Sequence, residues 1–285
     1  AVVSPVANTT YILTATNELG SVTEDVTVTV SNSVPPTLGW NAKDVVDLGV
    51  EWQPTINSTR NAGIVWIGSG TVETGSSNFG NITTWINSPN LALMSNPADS
   101  FQDGLGDPVT KADVSWEFIF RPGDFEGLHT LFNTGGNGAG TAFVLNGSVL
   151  DFRFQNANND SQRVIASSDL AEIGAAADFF HVVGVGDVDS ATSGTARLFV
   201  NGELKAEVTS TGAIEDWDGG DLAELGKGNN IPGGNPFNPE SFNGDIAVFN
   251  YFQGILIAEE QAQALFLAQG ASAGALEITE IEVMD

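Results

Sequence analysis

Short runs of apolar residues alternate with clusters of Gly, Asn and Asp along most of the chain. β-branched and aromatic residues dominate these runs, and their period of two predicts strands with one buried face. The predicted strands cover residues 63–67, 114–120, 141–145, 149–154, 179–185, 196–200, 203–208 and 245–249. Short strands at this spacing predict an all-β sandwich or jelly roll.

Two Asn-Gly dipeptides predict tight hairpins within this sandwich. Asn146-Gly147 and Asn201-Gly202 each separate two apolar runs. A type I′ turn needs positive φ at both central residues, and Asn and Gly are the residues that tolerate it best. We therefore expect a type I′ turn at each dipeptide.

One segment near the C-terminus has helical character instead. Residues 258–268 (AEEQAQALFLA) consist mainly of strong helix formers, carry two early glutamates and are followed by Gly270. They predict one short C-terminal helix with Ala262, Leu265 and Phe266 on its buried face.

The N-terminal residues predict a separate β-hairpin, with strands at 10–16 and 21–30 and a turn at 17–20. An isolated two-stranded hairpin is not stable in water, so this one needs a partner sheet. Its sequence, TYILTATNELGSVTEDVTVTV, resembles the last two strands of a bacterial immunoglobulin-like domain. The expected organisation is a partial immunoglobulin-like hairpin (1–32), a linker (33–37), a sandwich domain (38–269), and a linker with the start of a further module (270–285).

The charge balance narrows the classes of partner. With 36 acidic and 9 basic residues the net charge is −27, and so few cations cannot form the basic face that nucleic acids or anionic membranes require. No apolar run reaches the roughly 18 residues of a membrane-spanning helix. Without cysteine there are no disulfides or thiolate sites, and two histidines disfavour a histidine-rich metal site. We expect no nucleic-acid partner and no membrane insertion.

Carboxylates in Gly-rich loops are the natural ligands of Ca²⁺. Two segments fit this description, DGLGD at 103–107 and DWDGGD at 216–221, although neither matches an EF-hand loop. The candidate ligands are Asp103, Asp107, Asp216, Asp218 and Asp221. The alternative is that Asp and Gly simply form turns on an acidic surface.

A sugar-binding site would use an exposed aromatic ring bordered by polar side chains. Trp217 lies between two aspartates in a Gly-rich segment and is the candidate platform, whereas Trp66 and Trp116 are expected in the core. The long polar segment 226–238 follows, and its candidate ligand-binding residues are Asn229, Asn230 and Asn235. The alternative is that Trp217 packs at the edge of the sandwich.

Several blocks resemble one known family. They are WEFIFRP (116–122), LFNTGG (131–136), FHVVG (180–184), LFVNGEL (198–204) and FNGDIAV (242–248), followed by the predicted helix. In this order they resemble the concanavalin A-like, laminin-G-like domains (LamG type 3, pentraxin-like) of secreted bacterial multi-domain proteins. Asn133 and Val248 depart from the pattern, because the family usually has acidic residues there. The resemblance covers about residues 38–269 and implies a jelly-roll sandwich without catalysis, often with Ca²⁺ on one edge and ligand loops at the rim.

Glycoside hydrolysis is the enzymatic alternative. Glucanases on this fold carry Glu-x-Asp-x-x-Glu on one strand, because hydrolysis needs two carboxylates at a set separation. No Glu-x-Asp occurs in this sequence, and the nearest candidates, Glu117 and Glu215, have no acidic partner two residues later. His181 lies in an apolar strand and is expected to be a core histidine.

These observations predict a non-catalytic extracellular binding or adhesion module, secreted or at the cell surface as part of a longer chain. Its expected partners are polysaccharides or glycoprotein glycans, with calcium as a structural cofactor. The alternative is a structural subunit of a filament, sheath or adhesin, in which the N-terminal hairpin adds a strand to a neighbouring copy. A glycoside hydrolase is the third hypothesis.

Overall fold

The computed structural model divides into two compact units, residues 1–34 and 35–285. The described residues are 9–17, 20–28, 34–45, 51–57, 64–94, 101, 112–136, 138–156, 160–190, 192–214, 216–217, 221–227 and 240–270. The predicted linker and module at 270–285 lie outside them, apart from Gly270.

The first unit contains the predicted hairpin. Strands β1 (Thr9–Asn17) and β2 (Gly20–Val28) pair antiparallel, with Asn17 opposite Gly20 at the turn. They form a two-stranded sheet, and no third strand joins it within the described part of this unit. The hairpin is therefore confirmed, and its immunoglobulin-like character stays a prediction.

The described part of the second unit contains sixteen strands in one hydrogen-bonded sheet. The first eight are β3 (Leu38–Asn41), β4 (Glu51–Trp52), β5 (Ile56–Asn57), β6 (Val65–Thr74), β7 (Thr84–Met94), β8 (Val114–Arg121), β9 (Leu128–Asn133) and β10 (Gly140–Asn146). The others are β11 (Val149–Gln155), β12 (Arg163–Asp169), β13 (Phe180–Ser190), β14 (Ser193–Val200), β15 (Glu203–Thr209), β16 (Glu224–Leu225), β17 (Glu240–Ser241) and β18 (Asp245–Gln253).

This sheet folds over itself into a sandwich. Its main strand order is β12-β11-β10-β9-β16-β7-β18-β8-β13-β14-β15, yet β12 contacts β14 and β15 at the other end of that order. Inward side chains of the two halves meet in one core, where the rings of Phe118 and Phe143 have centroids 4.9 Å apart. The predicted all-β jelly-roll sandwich is confirmed.

The two Asn-Gly hairpins both form, with different turns. Val200 pairs with Glu203, and Asn201 and Gly202 have φ values of 50° and 82°, as a type I′ turn requires. In the other hairpin Asn146 itself pairs with Val149, so the turn shifts one residue to Gly147-Ser148. Only Gly147 has positive φ there (59°), which fits a type II′ turn, so the type I′ prediction for this hairpin is wrong.

The predicted helix also forms, as α1 (Glu259–Ala268). Gln261 Oε1 accepts a hydrogen bond from the Ala258 N–H at 2.9 Å, which satisfies one free donor at the helix start. Ala262 and Leu265 are buried as predicted, and the half-buried Phe266 contacts Phe79 edge-on at 5.6 Å. Within the described residues, no helix has the length and apolar character needed to cross a membrane.

Strand β7 was not predicted, because its sequence TWINSPNLALM contains a proline and lacks strict alternation. Ser88 takes a positive φ of 47° in the middle of the strand. Residues before it pair with β18, and residues after it pair with β16, so β7 passes from one half of the sandwich to the other. Such a corner disturbs the period of two from which strands are predicted.

Candidate functional site

Several segments meet at one end of the sandwich, where β9 ends and both β8 and β10 begin. Trp217 Nε1 donates a hydrogen bond to the Ala112 carbonyl at 2.9 Å, and Thr134 Oγ1 donates to the Trp217 carbonyl at 2.8 Å. We call residues 112–113, 133–136, 216–217 and 221–227 the loop end. It brings together segments that are about a hundred residues apart in the sequence.

Gly135 fixes how two of these segments dock. Its φ is +84°, and a Cβ at this position would lie 2.2 Å from the Asp221 carbonyl oxygen. The Gly135 N–H donates to Asn133 Oδ1 at 2.9 Å, and Asn133 Nδ2 donates to the Lys227 carbonyl at 3.4 Å. A glycine is therefore required here both by its backbone conformation and by the close approach of another chain segment.

Glu224 lies on the outer face of the sheet at the loop end. It pairs with Asn133 on one side and Ala92 on the other, whereas the next residue, Leu225, points into the core. Side chains alternate between the faces of a strand, so Glu224 and Asn133 point away from the core. Both are nevertheless only 1% exposed.

Within the part of the chain that the structure describes, neither carboxylate oxygen of Glu224 has a hydrogen-bond partner. Lys227 Nζ lies 2.9 Å from Oε1, an ion pair that falls outside hydrogen-bonding geometry. Thr130, which neighbours Asn133 on the outer face of β9, is also fully buried with an unpaired Oγ1. Buried polar atoms without partners are uncommon in folded proteins, because leaving them unpaired is unfavourable. Glu224 and Thr130 therefore retain hydrogen-bonding capacity that the described residues do not use.

The prediction that Trp217 is an exposed sugar platform is wrong. Its side chain is 0% exposed and contacts Phe101, Trp116 and Tyr251, with ring centroids 6.1, 5.4 and 5.8 Å away. Removing a large aromatic surface from water is strongly favourable, and the Ala112 carbonyl satisfies the indole N–H. Trp66 and Trp116 are buried as predicted, and none of the six tryptophans is more than 5% exposed.

The other predicted site residues are only partly described. Asp216 is half-buried and Asp221 exposed, and the structure brings both to the loop end. The remaining predicted residues lie outside the described part of the chain; these are Asp103, Asp107, Asp218, Asn229, Asn230 and Asn235.

The calcium site stays a prediction. No group of three or more His, Asp or Glu residues that could hold a metal occurs in the described part of the chain. Asp216 and Asp221 by themselves do not supply the six to eight oxygen ligands that Ca²⁺ takes. A calcium site at the loop end would need further ligands from the predicted residues that are not described.

Sequence reasoning did not find Glu224, Asn133 or Thr130 as site residues. The available signal for Glu224 was a charged residue between Ala223 and Leu225, in a stretch whose neighbours are apolar. That pattern alone does not show that the carboxylate would be buried without a hydrogen bond, because its surroundings come from β7 and β9.

Glu117 is not placed for hydrolysis. Its side chain is 0% exposed, and Oε1 lies 2.9 Å from Nε2 of the equally buried His181. Asn250 Nδ2 donates to the other oxygen at 2.7 Å. This network occupies the carboxylate and confirms His181 as a core histidine. The second candidate, Glu215, lies outside the described residues.

Comparison with known protein families identifies the family of this domain. The family model Laminin_G_3, described as the concanavalin A-like lectin/glucanases superfamily, matches residues 98–260, more than half of the chain. The chain belongs to this family. The match to the laminin-G-like family includes every strand from β8 to β18, and therefore Asn133, Trp217 and Glu224.

The laminin-G-like fold is similar to solved structures of receptor-binding domains. One is the receptor-binding domain of botulinum neurotoxin mosaic serotype C/D, with a TM-score of 0.53 and 17% identity over 82% of this chain and 51% of that one. Another is the ligand-binding domain of botulinum neurotoxin serotype D in complex with N-acetylneuraminic acid, with a TM-score of 0.53 and 14% identity over 82% and 51%. The chain thus spans about half the length of these structures, and identity this low shows a shared fold. Among curated protein sequences there is no match.

Proposed function

We propose that this laminin-G-like domain is a non-catalytic glycan-binding module whose ligand contacts the loop end. The observation that carries the proposal is the buried Glu224 carboxylate at the rim of the sandwich, which forms an ion pair with Lys227 but accepts no hydrogen bond from the described residues. Ligands of jelly-roll domains commonly bind at such loops, which a rigid scaffold holds in place. The botulinum serotype D domain, which shares the fold, is in complex with a sugar acid, and this supports a sugar as the class of ligand.

Hydroxyl groups are the chemistry that fits these polar atoms. An ionised carboxylate only accepts hydrogen bonds, and a threonine hydroxyl both donates and accepts. Sugar hydroxyls could therefore donate to Glu224 and exchange hydrogen bonds with Thr130. Hydrogen bonds to charged groups are stronger than neutral ones, contributing about 1.5–3 kcal/mol each. Glu224 is accordingly the largest single polar contribution that we propose at this site.

Binding without catalysis follows from the carboxylates. Glycoside hydrolysis needs two carboxyl groups that flank the scissile bond. Glu117 is enclosed by His181 and Asn250, and Glu224 has no second carboxylate among its strand neighbours, Asn133 and Ala92. As further parts of the proposal, the module acts outside the cell within a longer chain, and calcium stabilises its loops.

A glycan array tests this function. The wild-type chain is compared with Glu224→Ala, which we expect to bind its best glycan about tenfold more weakly because a charge-assisted hydrogen bond is lost. Glu203→Ala is the matched control, since Glu203 is an exposed carboxylate at the start of β15, at the other end of that strand from the loop end. Wild-type binding by Glu224→Ala would remove the loop end as the site.

A second candidate function is self-assembly through the N-terminal hairpin. The two-stranded sheet of β1 and β2 gains no third strand from the described residues, and Val22 in β2 is 68% exposed. An exposed two-stranded sheet offers unpaired backbone groups to another chain. In this proposal a hairpin edge pairs with a neighbouring copy, and the chain is a subunit of a surface filament or adhesin.

A further inference from the structure

Almost all described Lys and Arg side chains of this protein form ion pairs with carboxylates. Six of the seven Lys and Arg side chains within the described residues have an acidic side chain within 3.3 Å. These six are Arg121, Arg153, Arg163, Arg197, Lys205 and Lys227. The seventh, Lys43, lies just after β3, whose last residue, Asn41, pairs with Val248 of β18. The loop end is instead near Gln253, the last residue of β18, which pairs with Val114.

At the loop end the nearest described cation is itself neutralised. Lys227 Nζ lies 2.9 Å from Glu224, whose side chain is 1% exposed, so an incoming anion would have to compete with a buried carboxylate for the ammonium group. An ion pair that loses one partner leaves an uncompensated buried charge, which is strongly unfavourable. Lys227 is therefore poorly suited to bind an acidic sugar.

Arg197 is likewise paired with carboxylates, on β14, the next-to-last strand of the main strand order. Burial would lower the pKa of its guanidinium group, but hydrogen bonds and charge attraction from Glu207 and Asp187 outweigh this effect and raise the pKa. The side chain lies 2.5 Å from Glu207 and 3.3 Å from Asp187. Two carboxylates thus already contact its guanidinium group.

We propose that the loop end selects uncharged glycans and rejects glycans that end in a carboxylate or a sulfate. This proposal rests on the proposed function. Glu224 offers acceptor atoms to sugar hydroxyls and holds Lys227 in an ion pair, so this lysine is not free for a ligand anion. The net charge of −27 also disfavours the approach of any polyanion. Selectivity of this kind arises from unfavourable contacts with the wrong ligand as much as from favourable contacts with the right one.

The proposed ligand class differs from the sugar acid in the botulinum serotype D structure. That domain shares the fold at 14% identity, and the ligand class of a jelly roll is set by its side chains. Acidic sugars are recognised through unpaired Arg or Lys side chains that form charge-assisted hydrogen bonds. Among its described residues, the loop end instead presents a carboxylate, Glu224, whose charge is already paired with Lys227 and whose oxygens accept no hydrogen bond.

The test is an array printed with matched pairs of glycans. Each neutral oligosaccharide stands beside the same oligosaccharide capped with α2,3-linked sialic acid, and neutral polysaccharides are printed alongside. We expect the wild-type chain to bind neutral members at least about tenfold more tightly than their sialylated partners. A factor of this size corresponds to the free energy of one charge-assisted hydrogen bond. Equal or tighter binding of the sialylated members would overturn the proposal. Binding to none of the glycans would overturn the proposed function, and this proposal with it.

Variants separate charge from shape. Glu224→Gln removes the charge and keeps the size, so the preference for the neutral member should fall about tenfold. Glu203→Gln is the matched control, because a hydrogen bond and the charge of Lys205 lower the pKa of this exposed carboxylate and keep it ionised. Its preference should equal that of wild type, and an unchanged preference in Glu224→Gln would overturn the role of Glu224. If Glu224→Gln does not fold, Thr130→Val is the substitute variant, because it keeps the carboxylate of Glu224. We expect Thr130→Val to bind neutral glycans more weakly with unchanged selectivity. A loss of selectivity in this variant would count against the proposal.

Discussion

Glu117 and His181 form a buried pair, with Glu117 Oε1 2.9 Å from His181 Nε2 and no exposed side-chain surface on either residue. Glu117 lies on β8 and His181 on β13, and Asn250 of β18 donates to the second carboxylate oxygen. The His181 ring is 5.9 Å from that of Phe266 in α1. Glu117, His181 and Asn250 thus link three adjacent strands next to α1.

Breaking this pair should be strongly destabilising. Glu117→Ala leaves His181 and Asn250 without their acceptor, so the free energy of unfolding should fall by about 3–5 kcal/mol. Urea unfolding measures the change. Glu207→Ala is the control: its ion pair with Arg197 is half-exposed, and its removal should change stability by only about 0–1 kcal/mol. Equal effects of the two variants would show that the buried pair has no special importance.

Trp217→Ala should weaken folding rather than binding. Removing a fully buried indole leaves a cavity, and the free energy of unfolding should fall by about 3–5 kcal/mol. Denaturant unfolding gives this value, and a glycan array on the folded fraction gives the binding. A variant with wild-type stability and lost binding would restore Trp217 as a sugar platform. Trp217→Phe, which keeps a ring in the core, should lose less stability.

Gly135→Ala tests the docking of the loop end. Both Gly135 and Gly254 have positive φ, at +84° and +65°, so alanine is strained at either position. A Cβ at Gly135 would also meet the Asp221 carbonyl, whereas none of the described atoms lies within 4 Å of a Cβ at Gly254.

Gly135→Ala should therefore lower the melting temperature more than Gly254→Ala, and it should also reduce glycan binding. Thermal unfolding and the array measure the two effects. Equal changes in the two variants would mean that Asp221 and Gly135 do not hold the loop end together.

Calcium binding should appear as a shift in stability. A ligand that binds only the folded state at a hundred times its dissociation constant stabilises it by about 2.7 kcal/mol. We expect EDTA to lower the melting temperature by several degrees and excess Ca²⁺ to restore it, while Mg²⁺ serves as the control cation. An unchanged melting temperature in EDTA would remove calcium from the proposal. Asp216→Asn with Asp221→Asn should reduce the shift if these residues are ligands.

The N-terminal hairpin can be tested by deletion. If strand addition joins copies of the chain, the full chain should elute at a larger apparent size as its concentration rises, and a variant lacking residues 1–32 should not. Size-exclusion chromatography with light scattering measures this difference. A monomer at all concentrations for both proteins would contradict assembly through the hairpin.

Local chemistry determined much of the fold. The period-two apolar runs predicted strands in both halves of the sandwich, and the helix 259–268 followed from its composition and its flanking glycine. The turn at Asn201-Gly202 is also local, because positive φ at two successive residues is a property of those residues. At Asn146-Gly147 the Gly147 N–H donates to the Gly127 carbonyl at 2.8 Å, and the turn lies one residue later than the dipeptide alone predicts.

Only the tertiary structure decided the site. The sequence marked Trp217 as a loop residue, but Phe101, Trp116 and Tyr251 bury it, and burying so large a ring outweighs the polarity of its neighbours. The Glu224 carboxylate is buried between strands β7 and β9, which begin 140 and 96 residues earlier (224 − 84 and 224 − 128). Alternation along one strand predicts which side of the sheet a residue faces. Which groups it contacts there depends on the pairing of distant strands. That pairing made Glu224 the candidate ligand-binding residue and Trp217 part of the core.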